Sequence, residues 1–194
     1  MLADLFFRCM ATKTRMTVED YYAVTVEGDR MQLVDGELVV NEPKQIHGLL
    51  QGRLYAALFN WVAAGRGRGL ALLPADVVLD EFNVFGPDLL WIAERHRPAN
   101  LHERLTRVPD LCVEIRSPGT WRYDVGAKKA AYERGGLPEL WLVDDRSETL
   151  LAFARSAPDR DAFDVAIELT PGDVLTSPQL PGFALAIDDL FAPA

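Results

Sequence analysis

The sequence predicts an α/β protein in which a central mixed β-sheet is flanked by helices. Three stretches predict this class: an Asp35-Gly36 turn between two short apolar runs, a long segment with helical periodicity at 46–62, and a strand, a helix and a second strand in succession at 110–143. A two-residue turn joins antiparallel strands, whereas a strand–helix–strand unit forms a right-handed parallel crossover. The sheet is therefore expected to contain both kinds of pairing.

Size and composition are those of one globular domain. The chain has 194 residues, of which 49% are hydrophobic and 25% charged, enough for a core of its own. No apolar run approaches the roughly 20 residues of a membrane span, and the first ten residues lack the pattern of a secretory signal. The two cysteines, Cys9 and Cys112, do not make a disulfide framework, so we expect a cytoplasmic protein in which Cys112 is a small core residue.

Charge bears on possible partners. The net charge of -9 argues against a protein that coats nucleic acid through long-range attraction. Nine of the twenty Lys and Arg residues nevertheless lie between Arg95 and Arg134. This segment is either a locally positive face for nucleic acid or an ordinary solvated surface.

The N-terminal elements follow from local signals. Residues 1–15 are expected to form a loosely ordered lead-in, and residues 16–194 to form the domain. Thr17 and Asp20 have the spacing of a capping box, which predicts a short helix through Tyr21 and Tyr22. The runs 30–34 and 37–40 flank the Asp-Gly turn and predict a hairpin. The periodic segment 46–62 predicts the longest helix, ended by Gly65 and Gly67.

Four further apolar runs predict buried strands, at 70–79, 88–93, 110–116 and 140–143. A turn containing Asn83, Gly86 and Pro87 separates the first two. A helix from Trp121 to Arg134, closed by Gly135-Gly136, joins the last two. Beyond them, 149–155 and 162–169 predict edge strands, and Pro171-Gly172 and Pro181-Gly182 predict turns.

Two carboxylates carry the functional argument. Asp88 and Glu114 lie on runs that would be buried neighbours in the sheet, and burying unpaired charge is costly. A shared divalent cation would compensate both, because Mg²⁺ prefers oxygen ligands, commonly one or two carboxylates with water. The backbone carbonyl of Ile115 would be a third oxygen. Such an ion supports phosphodiester hydrolysis by lowering the pKa of an attacking water.

Each carboxylate also has an ordinary interpretation. A Pro-Asp dipeptide such as Pro87-Asp88 marks the entry of many strands. Glu114 shares its side of the strand with Arg116, so the two could simply form an ion pair.

The pattern as a whole resembles the restriction-endonuclease-like nucleases of the PD-(D/E)xK superfamily and, more narrowly, the Uma-two type of endonucleases. The resemblance extends from about Met16 to Phe191. It rests on the order and spacing of several motifs: Asp35-Gly-Glu37, His47, Pro87-Asp88, Glu114 with Ser117-Pro118, Asp124 with Lys128 and Tyr132, Gly136-Leu-Pro-Glu139, and Trp141-Leu-Val-Asp144. It implies a restriction-endonuclease-like core, Mg²⁺ or Mn²⁺ as cofactor, nucleic acid as substrate (DNA more than RNA), and a homodimer.

One position departs from that superfamily. The lysine expected two residues after the glutamate is Arg116, which stays protonated and cannot act as a base, although it can bind a phosphate. The resemblance transfers the lysine role to Lys128, four residues after Asp124 on the predicted helix. There it would orient or help deprotonate water, or stabilise developing charge. The alternative is a surface ion pair between Asp124 and Lys128.

Glu37 and His47 are supporting candidates. Glu37 is either a further carboxylate near the metal or an exposed strand residue, and His47 either faces the carboxylates or is a structural histidine. The sequence lacks a Gly-rich phosphate loop, zinc-type Cys/His spacing and a Gly-x-Ser-x-Gly elbow.

Two hypotheses remain. The first is a Mg²⁺-dependent endonuclease with Asp88 and Glu114 as metal ligands, Lys128 as the third catalytic residue and Arg116 on a phosphate. The second is a noncatalytic nuclease-like module that binds protein or nucleic acid.

Overall fold

The N-terminal part folds as its local signals predict. The computed structural model describes residues 15–26, 28–105 and 107–193, so all but the last residue of the predicted lead-in lies outside the described residues. Helix α1 (Val18–Val24) has the predicted capping box, in which Thr17 and Asp20 each accept a hydrogen bond from the other's backbone N–H. Strands β1 (Met31–Val34) and β2 (Glu37–Val40) form the predicted hairpin.

Helix α2 (Gln45–Ala63) is the long helix that the periodicity predicts. It buries one face, which consists of His47, Leu50, Leu54, Leu58 and Trp61. The four apolar residues pack against strands of the larger sheet described below.

The region after α2 differs from the prediction. The expected single strand at 70–79 is two strands, β3 (Leu70–Leu72) and β4 (Val77–Asp80), because Pro74 lies between them and cannot donate to a ladder. The expected turn around Asn83 contains another strand, β5 (Asn83–Phe85), in which the Asn83 side chain accepts a hydrogen bond from the Asp35 N–H of the hairpin turn. Strand β6 (Leu89–Ile92) follows.

The predicted strand–helix–strand unit is present. Strand β7 (Leu111–Ile115) and strand β8 (Glu139–Asp144) pair in parallel. Between them, α3 (Trp121–Tyr123), a π-helical segment (Asp124–Lys128) and α4 (Lys129–Arg134) follow without a break. We refer to residues 121–134 as the composite helix.

The C-terminal strands require one correction. Strand β9 (Thr149–Ala154), expected at an edge, lies between β8 and β10 (Val165–Leu169), because β10 folds back along it. The prediction for β9 was therefore wrong, and only β10 lies at the edge. Strands β11 (Val174–Leu175) and β12 (Leu185–Ala186) form a small antiparallel pair before helix α5 (Ile187–Phe191).

Two larger sheets result. The central mixed sheet has the order β10-β9-β8-β7-β6-β3, as the predicted fold class requires, and a second sheet of order β2-β1-β5-β4 was not predicted. Side chains of β7 alternate between two cores: Leu111, Val113 and Ile115 face α2, whereas Cys112 faces the composite helix. Glu114 therefore also faces the composite helix. Among the described residues, no helix is long and apolar enough to cross a membrane.

Candidate active site

Asp88 and Glu114 lie at the same end of the central sheet. Asp88 directly precedes β6, whose Leu89 pairs with Val113 of antiparallel β7, and the Ile115 N–H, next to Glu114, donates to Oδ2 of Asp88 at 2.6 Å. The Asp88 carboxylate lies against His47 of α2, whereas the Glu114 carboxylate faces the composite helix. The two acidic residues are only 5% and 3% exposed, and the charge of Asp88 contributes to the raised pKa of Glu114. The structure thus places the two predicted carboxylates at one end of the sheet, within range of electrostatic interaction.

The composite helix adds a lysine and a third carboxylate. Lys128 Nζ lies 2.7 Å from Oε1 of Glu114 and 2.9 Å from Oδ1 of Asp124. The Tyr132 hydroxyl donates to the same Oε1 of Glu114 at 2.7 Å. The expected ion pair between Asp124 and Lys128 is present, but it is buried rather than on the surface.

The spacing along the composite helix explains why these side chains converge. Asp124, Lys128 and Tyr132 are spaced by four residues, which places them on one face of the helix, and all three are buried. The segment from Asp124 to Lys128 is π-helical, with hydrogen bonds that close over five residues instead of four, and such turns recur at functional sites. Propensity alone did not predict this irregularity.

Burial shapes the electrostatics of the cluster. Burial raises the pKa of Glu114 to about 8; the Lys128 ammonium opposes this shift, and the charges of Asp124 and Asp88 add to it. For Lys128, burial by itself would lower the pKa, but Asp124 and Glu114 outweigh it and raise the pKa above its usual value. Lys128 is therefore an ammonium at neutral pH, in contact with the buried acidic side chains of Glu114 and Asp124.

Arg116 has a different partner from the one considered above. Its Nη1 lies 2.5 Å from Oδ2 of Asp144, at the end of β8, and its guanidinium lies 5.4 Å from the ring centre of Trp121. Glu114 pairs with Lys128 and not with Arg116. Asp144 is the last residue of β8 and holds the Arg116 guanidinium in place.

The two supporting candidates lie in different settings. His47, buried in the first turn of α2, places Nε2 3.1 Å from Oδ1 of Asp88. Glu37 is exposed at the first position of β2.

Sequence reasoning missed Gln51, whose side-chain Nε2 donates to the backbone carbonyl of Asp88 at 2.8 Å. Its spacing of four residues from His47 was the one available signal.

A second pair of buried acids lies at the other end of β7 and β8. Asp110 accepts hydrogen bonds from the Ala93 N–H and from Nδ1 of His96, both at 2.8 Å. Glu139 accepts from the Trp141 indole, the Ser177 hydroxyl and the Gln179 amide. Because protein donors satisfy both carboxylates, this end of the sheet has a structural role.

The donor set of the first cluster fits a hard divalent cation. Within the ranges that the structure covers, no three His, Cys, Asp or Glu residues are grouped so that they alone could hold an ion, but Mg²⁺ commonly takes only one or two carboxylates and completes its shell with water. Lys128 and Tyr132 both engage Oε1 of Glu114. Both of these contacts are made to the same one of the two carboxylate oxygens.

Comparison with known proteins gives matches of two kinds, to a family model and to solved structures. Residues 18–188 match the family model Uma2, described as "Putative restriction endonuclease". The structure is similar to a crystal structure of a putative nuclease belonging to DUF820 from Anabaena variabilis, with a TM-score of 0.75, 17% sequence identity, and coverage of 91% of this chain and 98% of that one. No curated protein matches the chain. At this identity the structural match concerns the fold, and it confirms the predicted fold class.

Proposed function

Because this chain belongs to the Uma2 family of putative restriction endonucleases, we propose that it is a Mg²⁺- or Mn²⁺-dependent endonuclease that hydrolyses phosphodiester bonds in DNA. The family assignment supports a nuclease acting on nucleic acid. Our proposal adds metal dependence, a preference for DNA and the roles of individual residues.

One observation supports metal dependence most strongly: three buried acidic side chains share one ammonium. Asp88, Glu114 and Asp124 are at most 5% exposed, and the single ammonium near them among the described residues belongs to Lys128. Ionising all three buried acids together is strongly unfavourable, and the pKa of Glu114 is accordingly raised to about 8, so that without a cation this carboxyl is mostly protonated at neutral pH. A divalent cation would allow all three acids to be ionised at neutral pH.

The proposed roles follow from the contacts. Asp88 and Glu114 would hold the ion, with the Ile115 carbonyl as a further oxygen. When bound, the ion would neutralise phosphate charge and lower the pKa of a water. Lys128 is protonated, which favours orienting water and stabilising developing charge over acting as a base. Asp124 holds Lys128 in place.

Arg116 is the proposed phosphate contact. Asp144 engages one end of its guanidinium, whereas its Nε is buried without a hydrogen-bond partner among the described residues. Arg116 thus retains donors for a phosphate oxygen. Glu37, exposed on β2, remains a supporting candidate.

We also propose a cytoplasmic homodimer. The resemblance to dimeric nucleases supports pairing, and pairing would let the locally basic segment 95–134 of each subunit face one substrate. Light scattering on the purified protein would measure the oligomeric state.

The test combines binding and cleavage. We expect calorimetry to show Mn²⁺ binding and a supercoiled plasmid to be cut only with Mg²⁺ or Mn²⁺. Asp88→Ala should abolish both while circular dichroism stays unchanged, and Asp159→Ala, at an exposed position, should retain both. Unchanged metal-dependent cleavage by Asp88→Ala would refute the assignment.

The alternative is the noncatalytic binding module. One observation favours it: Lys128 already neutralises Glu114 without a metal. The same calorimetry discriminates between the two, because absence of Mn²⁺ binding at millimolar concentration would favour the module.

A further inference from the structure

The sheet ladder stops beside Asp88, and side chains continue its hydrogen bonding. The last paired residues of β6 and β7 are Leu89 and Val113. Beyond them the Ile115 N–H donates to the Asp88 carboxylate. The Asp88 carbonyl accepts its hydrogen bond from Gln51 on α2. The position of Asp88 thus depends on groups outside its own strand.

Helix α2 contacts Asp88 at two points. Gln51 holds the backbone carbonyl at 2.8 Å, and His47, one turn earlier, places Nε2 3.1 Å from Oδ1 of the carboxylate. Residues four apart lie on the same side of a helix. Below this pair, Leu50, Leu54 and Leu58 fix α2 against the sheet, so the two polar groups approach Asp88 from a rigid support.

We infer that Gln51, together with His47, is a positioning residue that holds Asp88 in the geometry needed to bind a divalent ion. This inference rests on the proposed function, since it gives Asp88 the role of a metal ligand. Metal sites tolerate only small displacements of their ligands. Groups that orient a ligand typically change metal affinity 10- to 100-fold when they are removed.

The variant that tests this is Gln51→Met, which keeps the length of the side chain and removes the donor. Gln45→Met is its matched control, because Gln45 is an exposed glutamine on the same helix. We expect Gln51→Met to weaken Mn²⁺ binding about 10-fold by calorimetry, with circular dichroism unchanged and Gln45→Met like wild type. His47→Leu should have an effect in the same direction.

Hydrogen exchange provides a readout that needs no metal. The Ile115 amide is protected by its bond to Asp88, so a displaced Asp88 should accelerate its exchange about 10-fold in Gln51→Met. The Val113 amide within β7 reports opening of the sheet and should stay unchanged.

The outcomes separate the two proposals. Wild-type Mn²⁺ affinity together with wild-type Ile115 exchange in Gln51→Met would overturn the positioning role and leave the proposed function intact. If the wild-type protein binds no Mn²⁺, the proposed function fails, and accelerated Ile115 exchange with unchanged Val113 exchange still supports positioning of Asp88 by Gln51. Equal acceleration at both amides would instead indicate loosening of the whole sheet and would overturn the positioning role of Gln51.

Discussion

Nζ of Lys128 lies 2.7 Å from Oε1 of Glu114, and the side chains of both are at most 4% exposed. Each group compensates the charge of the other in a poorly hydrated interior, and Asp124 also compensates the charge of Lys128. Stability and the proposed chemistry therefore depend on the same pair.

The pair should show strong energetic coupling. Lys128→Met leaves the carboxylates of Glu114 and Asp124 without their cation, and we expect the free energy of unfolding to fall by about 3–5 kcal/mol. The double variant Lys128→Met/Glu114→Gln removes one of these charges as well and should lose less than the sum of the single changes. Urea denaturation of the four proteins in metal-free buffer measures this, and additive losses would contradict it.

The second pair of buried acids, Asp110 and Glu139, should contribute to stability and not to metal binding. Glu139→Ala removes the acceptor of the Trp141, Ser177 and Gln179 donors, and we expect a loss of roughly 3 kcal/mol because those donors stay buried. Mn²⁺ affinity should not change, since Glu139 begins β8 while the cluster lies at the far end of β7. Glu168→Ala, at an exposed position of β10, is the control and should change neither. A weaker Mn²⁺ affinity in a folded Glu139→Ala protein would mean that the two ends are coupled.

Two glycines should respond in opposite directions to alanine. Gly69 has φ +77°, and an added Cβ would lie 2.1 Å from the Ile92 carbonyl oxygen, so we expect Gly69→Ala to cost roughly 2–4 kcal/mol. An added Cβ at Gly48, within α2, would meet nothing within 4 Å. Gly48→Ala should stabilise the protein by about 0.5–1 kcal/mol. Thermal unfolding of both variants measures this contrast, and a shift of the same sign in both would argue against it.

Asp164 should contribute stability that depends on pH. Hydrogen bonds from the Ser156 hydroxyl and N–H lower the pKa of this carboxyl from its usual 3.8. Because the folded state favours the ionised form, the contribution is full above the unfolded pKa and is lost as pH falls through the lower folded value.

Asp164→Asn should accordingly be less stable than wild type at about pH 6, and the difference should shrink as the pH is lowered below about 4. Urea denaturation at several pH values measures the difference. A gap that widens towards acid pH would reverse the sign and refute the assignment.

Much of the site followed from residue types and spacing. Asp88 and Glu114 stood out because each is a charged residue beside an apolar run, and such residues need compensation when they are buried. The position of Lys128 four residues after Asp124 suggested an ion pair at the surface as the alternative, and the structure contains this pair in the interior. The hairpin could also be predicted from neighbouring residues, because only a few residue pairs tolerate the positive φ angles that Asp35 and Gly36 adopt.

The errors concern partners that local patterns do not encode. The run 70–79 has the composition of a strand, yet Pro74 divides it between two sheets. Strand β9 was predicted at an edge, and its interior position depends on where β10 folds back. Gln51 was not identified because a helical glutamine has no distinctive pattern until its neighbour across the core is known.

The sequence by itself determined the local elements, the α/β class and the kind of chemistry available, because turn conformations, periodicity and side-chain acidity are properties of neighbouring residues. Only the tertiary structure decided that Glu114 pairs with Lys128 and Tyr132 while Arg116 pairs with Asp144. The physical reason is that ion pairing and pKa depend on distance and burial, which arise when the composite helix packs on the sheet.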